Sequence, residues 1–133
     1  MTVSEYLREL PRRSALVVGD VCLDRWCTYD PEASEPSRET GIPRVAVVKT
    51  SVTPGAGGTI SNNLAALGVG RISLLGVVGD DGSSHELIAA LTERNISSEL
   101  LIRVPGRPTF TYTKLINRET GEEDQPRIDY ISQ

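Results

Sequence analysis

The sequence predicts an α/β protein in which a parallel sheet flanked by helices carries a small β-sheet lid, and three observations lead there. Residues 15–18 and 72–78 are short, nearly unbroken apolar runs rich in Val, Leu and Ile, the pattern of parallel strands covered on both faces. Each run ends in the same string, Val17-Val18-Gly19-Asp20 and Val77-Val78-Gly79-Asp80, so each buried strand hands over to acidic residues at its C-terminal tip. Residues 109–116 behave differently: Thr109, Thr111 and Thr113 alternate with Phe110, Tyr112 and Lys114, the period of a half-exposed strand. Buried strands interleaved with helices make a layered body, and two-faced strands make a separate sheet upon it.

Taken in order, residues 4–13 read as a short helix with Leu7 and Leu10 on one face and Pro11 ending it. The strand at 15–18 follows. Residues 30–43 hold three prolines and many charges, and read as a loop or flap; 44–50 is a β-branched strand. Residues 59–67 form a helix closed by Gly68 and Gly70. After the second buried strand, Ser83 and Glu86 have capping-box spacing, and Leu87, Ile88 and Leu91 supply the apolar stripe of a helix ending near Asn95. Residues 100–104 are expected as the third strand of the main sheet. The alternating strand at 109–116 is expected to be antiparallel and to pair with 44–50. A charged turn at 118–124 and a partner strand at 126–131 complete a lid built from about 22–50 and 107–131.

Composition narrows the function. The 133 residues make one domain, with 38% hydrophobic and 24% charged side chains. Fourteen basic against eighteen acidic residues give a net charge of −4, which argues against a general nucleic-acid or membrane-surface role. No run reaches the length of a membrane span, and the polar N-terminus is unlike a signal sequence. Cys22 and Cys27 are an odd number of residues apart, so a strand places them on opposite faces, out of bridging range. Two cysteines with the distant His85 offer no metal set, and reduced thiols suit a cytoplasmic protein.

Two stretches carry the candidate chemistry. Asp24 lies just past the first buried strand, where a carboxylate can accept charge-assisted hydrogen bonds from adjacent sugar hydroxyls; a turn or cap aspartate is the plainer role. Asp20 divides evenly between strand-end and ligand roles. The second stretch runs Pro54-Gly55-Ala56-Gly57-Gly58-Thr59-Ile60-Ser61-Asn62-Asn63-Leu64-Ala65-Ala66-Leu67-Gly68, a glycine-rich loop entering a helix. Gly55 and Gly57 permit close backbone approach, and Thr59 and Asn63 offer polar contacts, although Asn63 serves equally well as a helix-surface residue. Asp80 and Asp81 read first as helix-entry residues, Lys114 as either a solvated strand lysine or a cation facing an anionic substrate. Trp26 and Tyr29 read as lid packing, and His85 as a polar-face residue without a role.

These strings, in this order, together with Gly76-Val77-Val78-Gly79-Asp80-Asp81-Gly82, resemble the N-terminal part of a PfkB-type (ribokinase-like) carbohydrate kinase, and within that family the heptose-phosphate kinases. The resemblance implies a partial ribokinase-like layered fold, with Asp24 at the family's sugar-binding aspartate position. It also implies a sugar or sugar-phosphate substrate, ATP and Mg for the complete enzyme, and lids that meet across a homodimer through residues such as Phe110 or Tyr112. Arg127 and Asp129 match an Arg-x-Asp segment of the heptose kinases, with an ion pair as the plainer reading. The chain departs from the pattern at Gly55-Ala56, where the family has Gly-Gly, and at Thr59, where it has asparagine; the sugar's identity is left open by this.

No Gly-Ala-Gly-Asp segment supplies the family's general base, so no catalytic residue and no metal ligand is assigned. The resemblance implies that the C-terminal nucleotide-binding half is absent, so the chain reads as incomplete, and ATP and Mg are not expected to bind it alone. The alternative is a non-catalytic sugar or nucleotide-binding module. A dinucleotide-binding oxidoreductase would need Gly-x-Gly-x-x-Gly directly after the first strand, where this chain has Gly19-Asp20-Val21-Cys22.

Overall fold

The computed structural model describes residues 1–132, and its strands fall into three sheets. The first holds β1 (Ser14–Val18), β4 (Arg71–Leu75) and β6 (Ile96–Ser97), all parallel, in the order β1-β4-β6. Two helices, α2 (Gly57–Ala66) and α3 (Gly82–Glu93), pack on one of its faces. There Val17, Ile72, Leu74 and Ile96 meet Leu87 and Leu91 of α3, with Leu64 and Ala65 of α2 against them. Leu74, Leu87 and Leu91 are completely buried, each worth about 1.5–3 kcal/mol of transfer free energy. A short α1 (Val3–Glu9), capped by Thr2, leads through a 3-10 turn into β1 and buries none of its residues.

The second sheet is four-stranded, in the order β3 (Val47–Ala56), β2 (Val21–Tyr29), β8 (Thr111–Asn117), β9 (Ile128–Tyr130). β3 and β9 are antiparallel to their neighbours, while β8 runs parallel to β2. A third, two-stranded sheet joins β5 (Val77–Gly79) to β7 (Ile102–Val104) in parallel.

Four expectations are corrected. The strand at 109–116 is parallel to its main neighbour, and β2 stands between it and β3. Alternation reports which face is buried, and carries no information on strand direction or partner. The run 72–78 is broken at Gly76, and its halves enter different sheets; a Cβ there would strike the Val21 side chain and stand 2.6 Å from the Gly19 carbonyl. Residues 102–104 pair with β5, and the third strand of the main sheet is the shorter Ile96–Ser97. The cap of α3 is Asp81, in keeping with its helix-entry reading, and Ser84 closes the box in place of the expected Ser83–Glu86 pair. A carboxylate directly ahead of Gly82 is the stronger acceptor for the first-turn amides. Glu86, thereby released from capping, reaches Arg25 on β2.

Candidate functional site

β2 leaves the first sheet at Gly19-Asp20 and crosses the second sheet for nine residues. Successive side chains of a strand point to opposite faces, so Cys22, Asp24 and Trp26 share one face, while Leu23, Arg25 and Cys27 share the other. Register extends the first set across the sheet. Gly55 lies opposite Cys22, Thr53 and Tyr112 flank Asp24, and Ser51 and Lys114 flank Trp26. Asp129 on β9 continues the row from Tyr112.

Gly55 and Asp24 are brought into direct contact. A Cβ on Gly55 would stand 2.6 Å from Asp24 Oδ2 and would overlap the Cys22 sulfur, so a larger residue there would displace both side chains. Asp24 takes no hydrogen bond or ion pair from any other described residue. Its acceptor capacity is therefore available to a ligand. Burial, reinforced by the nearby Asp24 charge and opposed by Lys114, pushes the Cys22 thiol up to about 11. Cys22 is thus a protonated wall of the site and no nucleophile. Both cysteines are buried and free.

Lys114 places its ammonium 4.7 Å from the centre of the Trp26 ring, a cation–π contact that steadies a half-buried lysine without neutralising it. Arg127 is paired with Asp129 through two hydrogen bonds of 2.8 and 2.7 Å and stacks 5.1 Å from the Tyr112 ring. That is the plain ion-pair reading of these two residues. Trp26, read from the sequence as packing, is the platform under Lys114; Tyr29 is the packing residue, buried and donating 2.6 Å to Asp124. The signal for Trp26 was its two-residue spacing from Asp24.

The glycine-rich stretch, expected from the sequence as a loop, is the end of β3 running directly into the first turn of α2, and its residues divide their work. Gly57 is buried, donates its amide 2.8 Å to the Asp20 carbonyl, and would press a Cβ to 2.9 Å from that oxygen; it seals β2 to α2. Thr59 donates 3.4 Å to the Pro54 carbonyl and ties the first turn of α2 to the end of β3. Asn63 is exposed one helical turn beyond Thr59, on the same face of α2, and no hydrogen bond links it to Asp24 or Lys114. Asp20 lines a cleft of about 380 Å³ with Gly19, Leu75, Arg107 and Phe110, where β1 and β4 end. Asp81 caps α3 and also accepts from the Thr109 amide and hydroxyl at 2.8 and 2.7 Å. Burial pushes its pKa up, but these Thr109 and Ser84 bonds outweigh it and hold the carboxyl below its usual range.

A row with a carboxylate, a threonine, a tyrosine and a lysine above a glycine-rich strand–helix junction suits a polyhydroxylated ligand. Comparison with known proteins speaks to the chain as a whole. The sequence profile of the pfkB family of carbohydrate kinases matches residues 13–125. The bifunctional protein HldE of Psychromonas ingrahamii is 34% identical over 112 residues, covering 84% of this chain and 23% of that protein. Among solved structures, ribokinase from Thermotoga maritima superposes with a TM-score of 0.58 at 22% identity, over 86% of this chain and 35% of its own. Ribokinase from Cryptococcus neoformans in complex with ADP gives 0.54 at 19%, over 87% and 33%. The chain therefore spans about a quarter to a third of the proteins it matches. With the profile covering most of its length, the chain belongs to the pfkB family of carbohydrate kinases.

Proposed function

We propose that the chain is the sugar-binding portion of an ATP-dependent kinase that transfers a phosphoryl group to a hydroxyl of a sugar or sugar phosphate. The observation that carries this reading is the Asp24 carboxylate, seated against Gly55 and taking no hydrogen bond from any other described residue. Vicinal hydroxyls donate to Asp24, the absent side chain of Gly55 leaves that carboxylate in place, and Thr59 and Asn63 line the approach from α2. Gly57 acts beneath them by fixing the loop. Lys114 meets the phosphate of a sugar phosphate, which favours the heptose-phosphate branch of the family.

The grouped residues do not suit a nucleotide phosphate. The Gly57 amide is already committed to Asp20, and Asp24 puts negative charge beside the loop. ATP and Mg belong to the complete enzyme. The enzyme is cytoplasmic, and its second sheet is a lid that meets its counterpart in a homodimer. A non-catalytic binding module is the second reading, favoured by the lack of a Gly-Ala-Gly-Asp segment in these residues.

Calorimetry on the kinase carrying this segment tests the site. Asp24→Asn is expected to weaken sugar binding by about 1–3 kcal/mol, the scale of a hydrogen bond to a charged group. Unchanged affinity would remove Asp24 from the site.

A further inference from the structure

We propose that the first two turns of α3 set the position of the second sheet, and that Arg25 is the positioning residue through which they hold Asp24; this rests on the reading of Asp24 as the sugar's acceptor. Arg25 follows Asp24 on β2 and projects from the opposite face, toward the body. Its guanidinium donates 3.3 Å to Ser83 Oγ and also to the Glu86 carboxylate. Only 19% of the Arg25 side chain is exposed, against 44% for Glu86, so the pair is better shielded than an ordinary surface bridge.

The same helix end holds the neighbouring strand. Asp81 accepts from both the amide and the hydroxyl of Thr109, two residues before β8, and the Thr109 hydroxyl accepts in turn from the Gly79 amide at 2.9 Å. Leu23 then donates its amide 2.8 Å to the Phe110 carbonyl, which fastens the roots of β2 and β8 to each other. The two central strands, which carry Asp24, Trp26, Tyr112 and Lys114, are thus tied to one helix end by charged groups. α2, which carries Thr59 and Asn63, is joined to the root of β2 through β3 and the Gly57–Asp20 bond, and packs on the first sheet through Leu64 and Ala65. Beyond that joint the Arg25 contact fixes how the second sheet, with Asp24, sits against α3, although Arg25 projects from the face opposite Asp24.

The test compares Arg25→Ala, Arg25→Lys, the exchanged pair Arg25→Glu with Glu86→Arg, and Leu115→Ala in the separate cluster with Cys27 and Tyr29. Amide hydrogen exchange on the ligand-free chain is read at Leu23 and Thr109. Affinity is read by calorimetry on the kinase carrying this segment, with D-ribose, D-fructose and sedoheptulose 7-phosphate as probes. Arg25→Ala is expected to speed exchange at both amides and to raise Kd about tenfold for whichever probe binds. Arg25→Lys, which reaches Glu86 with a single point charge, restores part of both, and the exchanged pair restores most. Leu115→Ala lowers the denaturation midpoint and leaves Kd unchanged. Protection at Leu23 and Thr109 that survives Arg25→Ala overturns the anchor. Unchanged Kd in Arg25→Ala, where Asp24→Asn does weaken binding, overturns the positioning role. If Asp24→Asn is also without effect, or no probe binds, the sugar-site reading fails and the exchange data alone decide the anchor.

Discussion

Ala56 occupies a backbone conformation that alanine rarely adopts. Its φ of 54° and ψ of −119° at the junction of β3 and α2 match the first central position of a type II′ turn, where glycine is the usual residue. The sequence places Ala56 where the resembling family has its second glycine, and the fold keeps the glycine geometry regardless. Strain of this kind costs about 1–3 kcal/mol, and part of any relief is offset by the greater freedom of glycine in the unfolded chain. Ala56→Gly is therefore expected to stabilise the protein by about 1 kcal/mol, read as a raised urea midpoint with an unchanged slope. A lowered midpoint would show that the surrounding hydrogen bonds, above all that from Gly57 to Asp20, impose no strain on Ala56.

Among the elements, α3 shows most directly what a sequence can and cannot announce. Its existence follows from Leu87 and Leu91 at helical spacing, both fully buried; its cap is displaced from Ser83 because Asp81 competes better for the same amides. β2 was harder to see. Asp24, Arg25 and Trp26 break its apolar pattern, because one face carries the site and the other meets α3, so neither alternation nor a buried run survives. Asp24 and the glycine loop were legible because their residue types are tied to their chemistry, whereas the Trp26–Lys114 pairing depends on a register between strands almost ninety residues apart. The Asp81 contacts carry a pH consequence. Its folded pKa is depressed, chiefly by Thr109 against the opposing effect of burial. The stabilisation is fully present above the unfolded value of about 4 and disappears as pH falls through the folded one. Asp81→Asn should thus narrow the stability difference between pH 7 and pH 3 relative to the unaltered chain, in urea titrations at the two pH values. An unaltered difference would show that Asp81 does not contribute to acid sensitivity.

At the scale of the whole molecule, both helices of the first sheet cover the same face. Leu16 and Val18 point from the other and remain 56% and 65% exposed, although parallel sheets are ordinarily covered on both sides. The two ribokinases that share the fold are about three times as long as the part they have in common with this chain. Phosphoryl transfer requires positioned reactants, neutralised phosphate charge and a base for the acceptor hydroxyl. No Gly-Ala-Gly-Asp segment in these residues supplies that base, and Asp80 and Asp81 are otherwise engaged. Asp24 is proposed as a hydroxyl acceptor, Asp80 faces Arg103 at 3.8 Å, and Asp81 is engaged by Thr109 and Ser84. The 133-residue chain is accordingly expected to release no ADP in a sugar-dependent manner when ATP, Mg and the sugar probes are supplied in a coupled assay. A longer kinase containing the same segment should do so, and should lose the activity on Asp24→Asn through a raised KM. Sugar-dependent ADP release by the 133 residues alone, abolished by Asp24→Ala, would mean that Asp24 serves as the base and that the second sheet with its glycine loop already performs the chemistry.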